Sequence, residues 1–590
     1  MRRPFAPLLV IAGAGLLWAL LATGWIASLP DISVLDRDEG LNLIKASMVN
    51  AGYTLYRDVW SDQPPVFTKM LAGWTRAFGD TVGAARTLTA LHAGVLVALL
   101  GYLSWRLSGR RLRAAVVTML LVIGAARMGK LSAAVMIGLP AMTWALAAIC
   151  VVAAMLRTRA WWLGLLAAGA MFGVSLQIKL FTFIALPFAA AVAVWVWREG
   201  RRYHVASTAA SPALAGASSA GAAVAATRVP GSATDVLPRP DPLAGEEGIG
   251  VEAARATVVR EPPHPSPLPR GEGTDAAAIG AAVMGVPPHP NPLPKGERAG
   301  AALVRCAVGV VLFAAALVGM CYLVGPFREA GWREQLVSPH VGGHAKNDET
   351  TLQSLQSIVE QWGDDAPVMA AALLAAIAAG RGGWRGYWPA VVWFGSSVVA
   401  LSQANPVWSH HRVLMSWPAA VIAGVAAAEL WDRNFDGFPF RTAPKNWKLQ
   451  LAALGLIAIA CVWGVGLRAW DAATIARGPK DDRLNAELVA QIRARSKPGE
   501  WLFTDDPHYA YVAHLKVPPE IAVWSNKRER RGEIPLPTLV EIRDRYEVPL
   551  MLLARHKRLR VPETRKALTS GYLKVFDSPY ADLYDRRAAQ

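Results

Sequence analysis

Apolar runs of about 17 to 25 residues, each long enough to cross a hydrocarbon core of about 30 Å, recur roughly eleven times along this chain. They lie near residues 7–29, 83–105, 114–128, 131–156, 160–178, 180–197, 302–325, 366–380, 386–403, 413–431 and 449–469. The composition agrees: of 590 residues, 53% are hydrophobic and only 18% charged, which is more apolar than the usual soluble balance. The runs predict an α-helical polytopic membrane protein. Arg2 and Arg3 precede the first run, but that run is long and no small-x-small cleavage site precedes Asp31, so it reads as an uncleaved anchor.

The formal net charge of +17 would fit a nucleic-acid binder, but in a membrane protein basic residues set topology. With the N-terminus inside, the inner loops are "WRLSGRRLR" (105–113), "RTRAWW" (157–162), "WREGRR" (197–202), "RGGWRGYW" (381–388) and "RNFDGFPFRTAPKNWK" (433–448), and all five are basic. That leaves the loop 30–82, the turns at Gly129-Lys130 and Lys179, the stretch 326–365, "NPVWSHHR" (405–412) and everything after Trp470 outside. No nucleic-acid partner is expected. The four cysteines, Cys150, Cys306, Cys321 and Cys461, fall in or at the ends of apolar runs without metal or disulfide spacing.

Four parts follow from this. An N-terminal membrane module (1–202) carries the first external loop, and a second module spans 301–470. Between them, 203–300 is rich in Ala, Gly, Ser and Pro, which predicts disorder; "PPHPSPLPRGEG" is echoed there by "PPHPNPLPKGER". The echo reads either as a polyproline ligand or as a repetitive insertion that an inner loop tolerates. Residues 471–590 have soluble composition: "NAELVAQIRARS" predicts a helix, "EWLFTDDP", "VPLMLLAR" and "YLKVFDS" predict strands, and "ADLYDRR" closes a small external α/β domain. In it, "TDDPHYAYVA" either binds a metal or sugar or simply caps the next helix.

The segment "LDRDEGLNLIKASMVNAGYTLYRDVWSDQPPVF" crowds Asp36, Asp38, Glu39, Asp58 and Asp62 beside the first span, ahead of Pro64-Pro65. The first span, then "DRDEG", then "AGYTLYRDVWSDQPPVF", then a span entered near "VGAARTLTALHAG" resembles the signature of integral-membrane glycosyltransferases of the GT-C fold. The similar branch is the bacterial one related to protein O-mannosyltransferases and lipid A aminoarabinose transferases (families 39 and 83). "GVSLQIKLFTFIALP" (173–187) and "NPVWSHHRVLMSWPAA" (405–420) resemble later pieces of the same family.

The resemblance implies transfer of a sugar from a polyprenyl-phosphate donor to a lipid, glycan or protein acceptor, at the outer face of a bacterial inner membrane. It casts Asp38 as the base, with Glu39 orienting it or touching the acceptor. Lys179 first, then Arg57, His410, His411 and Arg412, become candidates for the leaving phosphate, and Tyr56, Asp58, Gln63, Pro64 and Pro65 form the substrate loop. No metal or other cofactor is expected. The chain departs from the family at Gln63, where some relatives carry Lys, and at "RMGKLSAA", where Lys130 stands in place of an acid.

Plainer readings stand beside these. Asp36, Asp38 and Glu39 are suited to capping "GLNLIKASMVNAG", Asp58 to anchoring its loop, the two histidines to interfacial packing and Lys179 to snorkelling. The 23 tryptophans read as interface belts, with Trp60 and Trp408 near enough to the motifs to stack on a sugar. A transporter or lipid flippase is the rival function; it calls for ionisable residues at mid-membrane, of which the runs hold almost none. An inactive relative of the same fold is the third reading.

Overall fold

The computed structural model describes residues 5–199, 295–337, 351–403, 407–435, 446–476, 482–525, 528–529, 531–554 and 556–589. Nearly all of the expected insertion (203–300) lies outside them, as do 338–350, 404–406 and 436–445 within three of the expected loops. The described residues up to Glu199 and from Arg305 onward belong to one compact unit.

The apolar runs are helices because a backbone in hydrocarbon has to satisfy its own amides, which a helix does within one segment. Helix α1 (Phe5–Ala27) leads into two shorter helices, α2 (Arg37–Asn50) and α3 (Val66–Phe78), before α4 (Val82–Leu107). Then come α5 (Leu112–Gly124), α6 (Met128–Ala133), α7 (Gly138–Met155) and α8 (Trp161–Leu176). Further apolar helices occupy Leu180–Glu199, Lys295–Val324, Ala366–Ser402, Val413–Phe435 and Trp447–Ala476. Among the described residues, eight spans are long and apolar enough to cross a membrane; α5 and α8 are apolar but shorter. The expected runs 366–380 and 386–403 are the two arms of Ala366–Ser402, which bends at Gly380 (φ 54°).

Among the described residues, one small cluster (Ala22, Ile26, Ala90, Ala133) and two large hydrophobic cores are buried. One lies among the long helices, where Trp393 and Trp417 are buried beside Leu100 and Ile149. Helices α1 and α4 meet there through Gly15 and Gly94; a Cβ on either would lie 2.5 Å from the other's carbonyl oxygen, so only glycine permits the approach. The second core joins the segment between α1 and α4 to the C-terminal segment: Leu43 and Ile44 of α2 and Phe67 and Leu71 of α3 pack with Tyr509, Trp524 and Leu550.

The C-terminal domain has a four-stranded sheet ordered β1-β2-β4-β3. Strand β1 (Leu502–Thr504) runs parallel to β2 (Leu550–Leu553), while β4 (Asp582–Asp585) is antiparallel to both β2 and β3 (Leu573–Asp577). The strands fall in the four stretches read from sequence, and the helix Asp482–Arg495 falls on "NAELVAQIRARS".

The loops sort to two ends. At one, Val66 N–H donates to the Gln177 carbonyl, Asn42 to that of Val135, and Ser33 to Asp482. At the other, Arg111 pairs with Glu429 and Asp432, and Trp195 donates to the Arg385 carbonyl.

Candidate functional site

Helix α2 opens the site. Asp36 is its N-cap, and its Oδ1 accepts from the Asp38 amide at 3.1 Å, satisfying a donor that the first turn leaves open. Its Oδ2 meets Lys130 Nζ at 3.0 Å. Burial opposes the charge on Asp36, but the Asp38 amide and Lys130 prevail and hold the carboxyl below its ordinary range. Asp38, in the first turn, is exposed.

Glu39 faces the other way. It and Arg86 of α4 are both fully buried, and the carboxylate accepts from Arg86 Nε and Nη2, each at 2.8 Å, and from the Val135 amide at 3.1 Å. The expectation that Glu39 orients Asp38 or touches an acceptor is therefore corrected: its oxygens tie α2 to α4 and to the segment after α6. Lys45, two turns beyond Asp38 on the same face, is also buried, and burial lowers the pKa of its ammonium against the pull of Asp62 and Asp38.

The loop from Thr54 to Pro65 is folded on itself. Tyr56 takes a left-handed backbone (φ 71°), is buried, and donates its hydroxyl to the Gln63 carbonyl at 2.7 Å. Burial, then Asp62, raise the pKa of that phenol. Asp58 accepts from the Thr54 amide at 2.8 Å and from Arg57 at 2.9 Å, so it anchors the turn. Arg57 is thus a surface partner of Asp58 and is not among the residues lining the cleft described next. Gln335 brackets the loop, donating to the Tyr56 carbonyl and accepting from the Ser61 amide. Pro64 and Pro65 are buried; Pro65 precedes α3, and the next residue's amide reaches the Gln177 carbonyl at 3.1 Å. The Pro-Pro pair is thereby fixed two residues from Lys179.

A cleft beside this junction is lined by Lys179, His410 and His411 together with Leu131, Met142 and Trp417. The Lys179 ammonium lies over Gly138, where α7 begins. His411 is buried, stacks on Phe181 (centroids 5.3 Å, 15°) and accepts from the Trp408 amide at 3.3 Å. Its neighbour His410 is half-buried; burial, then Lys179, push its imidazole down to about 3, with Lys130 and Arg127 adding to this and Asp36 opposing. Burial and the same lysine also lower His411. Arg412 pairs with Asp364.

The structure therefore gathers Lys179, His410 and His411, with Asp36 and Lys130 alongside, while Asp38 stands two residues along α2 from Asp36 and Glu39 and Arg57 are engaged elsewhere. Sequence reasoning missed Lys45, Arg86 and Arg127, and read Lys130 only as a departure from the family. Lys130 did carry a signal, a cation at a turn between two apolar runs. Lys45 also carried one, seven residues after Asp38 on the same helix face, whereas the partners of Arg86 and Arg127 are distant in sequence.

In "TDDPHYAYVA", Asp505 is buried and accepts from the Ala554 and His556 amides, and Asp506 caps the helix Pro507–Val512, accepting from the His508 amide. The capping reading therefore fits these residues. Trp60 is buried under the Arg528 guanidinium (5.2 Å from its ring centroid), which corrects its assignment to a sugar; Trp408 is exposed. Among the described residues, no three His, Cys, Asp or Glu side chains are grouped so as to hold a metal ion.

Residues 61–205 match the family model described as dolichyl-phosphate-mannose-protein mannosyltransferase. Among solved structures, the chain is similar to ArnT from Cupriavidus metallidurans bound to undecaprenyl phosphate, at 13% identity and TM-score 0.55, covering 97% of each chain. It is similar to the apo state of the same protein at 13% identity and TM-score 0.54, again over 97% of each. No curated protein sequence matches the chain.

Proposed function

We propose that this chain, a multi-pass membrane protein with the GT-C fold, is a glycosyltransferase that moves a sugar from a polyprenyl-phosphate donor to an extracytoplasmic acceptor. Its place is a bacterial inner membrane, with the site on the outer face; the basic loops at the opposite end support that orientation. The mannosyltransferase match over 61–205 and the undecaprenyl phosphate held by the similar ArnT support the donor class.

The observation that carries the reading is the cleft. A polyprenyl phosphate needs an apolar wall for its chain and cations for its head, and Leu131, Met142 and Trp417 stand there with Lys179 and His410. Asp38, exposed two residues along the helix from Asp36, takes the proton of the acceptor hydroxyl as that oxygen attacks the anomeric carbon. The bond from this carbon to the phosphate oxygen breaks, and its electron pair leaves with the polyprenyl phosphate. Attack from the opposite face inverts the centre. Lys179 stabilises the charge that develops on the departing oxygen.

The test incubates purified protein with a panel of polyprenyl-phosphate sugars and an acceptor extract, following release of polyprenyl phosphate. Wild type turns over at least one donor, and Asp38→Asn lowers kcat by about 100-fold or more, the usual scale of general-base loss. Undiminished turnover by Asp38→Asn would sink the mechanism, and passage of the intact donor without cleavage would mark a transporter.

A further inference from the structure

We propose that Lys130, held in place by Asp36, is a phosphate-binding residue of the cleft, which with Lys179 seats the phosphate that leaves on the carrier lipid. This rests on the donor class argued above and assigns a role to a residue that the family resemblance marks only as a departure.

The geometry comes first. Lys130 Nζ lies 3.0 Å from Asp36 Oδ2, while the other oxygen of Asp36 accepts from the Asp38 amide. One carboxylate thus caps the helix that carries the proposed base and also tethers this ammonium. Lys130 is on α6, and the next residue, Leu131, lines the cleft with Lys179 and His410. The tether does not bury the cation: the Lys130 side chain keeps 37% of its surface and that of Asp36 22%. An ammonium that is accessible and held by one carboxylate is ready to bind a second anion.

Charge matching supplies the second argument. Lys179, Lys130 and Arg127 all act on His410, and Asp36 is the carboxylate that faces it with them. Among the groups that act on His410, three cations and one carboxylate leave a surplus of about two positive charges, since a histidine titrating at about 3 is neutral at pH 7; the proposed base Asp38 offsets one of these until it takes the acceptor proton. A phosphodiester donor carries one negative charge. The phosphate monoester that departs approaches two, about −1.5 to −2 at pH 7. The acceptor proton passes to a carboxylate, so the second negative charge appears on the phosphate as the sugar leaves it. The site therefore favours the departing state over the donor, and interactions of that kind raise kcat more than they tighten substrate binding.

The test measures binding of undecaprenyl phosphate in detergent micelles to the full-length protein, with undecaprenol as the uncharged control. Lys130→Met is expected to weaken undecaprenyl phosphate binding by about 10- to 100-fold, the scale of one lost charge-assisted hydrogen bond, and to leave undecaprenol binding unchanged. Lys130→Arg restores most of the affinity, and Asp36→Asn, which frees the ammonium but leaves its charge, lowers it only a few-fold. With a turned-over donor, Lys130→Met lowers kcat more than it raises KM. Equal binding by wild type and Lys130→Met, or equal losses in Lys130→Met and Lys130→Arg, overturns the role of Lys130 and leaves the donor reading intact. A wild-type protein that binds undecaprenyl phosphate no better than undecaprenol removes the donor reading itself.

Discussion

At the scale of single residues, two carboxylates that are neighbours in sequence take opposite parts. Asp38 faces solvent, whereas Glu39 is sealed against Arg86. Removing one member of a buried ion pair strands the other's charge, at a cost of about 3–5 kcal/mol. Glu39→Ala and Arg86→Met are each expected to lower Tm sharply in detergent, and the double Leu variant to recover part of the loss. A double variant no better than the singles would deny the pairing. His410 sets a pH dependence. An unfolded His410 takes up a proton below about 6.5, while the folded one refuses it until about 3, so the unfolded state binds more protons across that window. Stability therefore falls as pH drops from 6.5 towards 3. Asp36, with its folded pKa lowered, adds a loss in the same direction as pH falls through and below 3.8. Thermal melts of His410→Gln against wild type are expected to show a flatter acid limb. Lys179, His410 and His411 were legible in the sequence because each stands where an apolar run stops. The partner of Glu39 was not, because a pair separated by 47 positions on two elements leaves no local pattern.

At the scale of elements, the long helices were readable because hydrocarbon demands a continuous apolar segment, and each expected run coincides with a helix. Their ends were less so: the run 114–128 yields only Leu112–Gly124. The break expected after 380 is matched by the non-helical backbone of Gly380, which parts two helices. Helix α2 depends most on what the sequence conceals. Its Gly40 abuts the helix Pro507–Val512 so closely that a Cβ would lie 2.7 Å from the His508 amide nitrogen. His508 in turn is within 3.1 Å of the Asp31 carbonyl through Nε2 and is buried beside Glu39. Gly40→Val would force these helices apart, at about 1–3 kcal/mol for overpacking. The expected result is a lower Tm and increased proteolysis of the C-terminal segment after Asp482, with α4 left intact; unchanged protease resistance would argue against this docking.

At the scale of the whole molecule, the two ends differ in kind. One carries the acids of α2, the cleft and the C-terminal sheet, and the other carries Arg111, Arg385 and Arg433. In a cysteine-free background, Thr81→Cys is expected to react in intact cells with a membrane-impermeant maleimide and Arg110→Cys to react only after lysis. The reverse pattern would invert the proposed orientation. The core shared by the segment between α1 and α4 and the C-terminal segment bears on biogenesis. Asp31 and His508 are 477 residues apart, and a ribosome adding about 5–20 residues each second needs roughly 25 to 95 s to cover that distance. During that interval Leu43, Ile44, Phe67 and Leu71 have emerged without the partners that bury them. The earliest part of the site to be synthesised is thus the last to be finished, and a prematurely terminated chain leaves the ribosome with its proposed base on an incomplete platform.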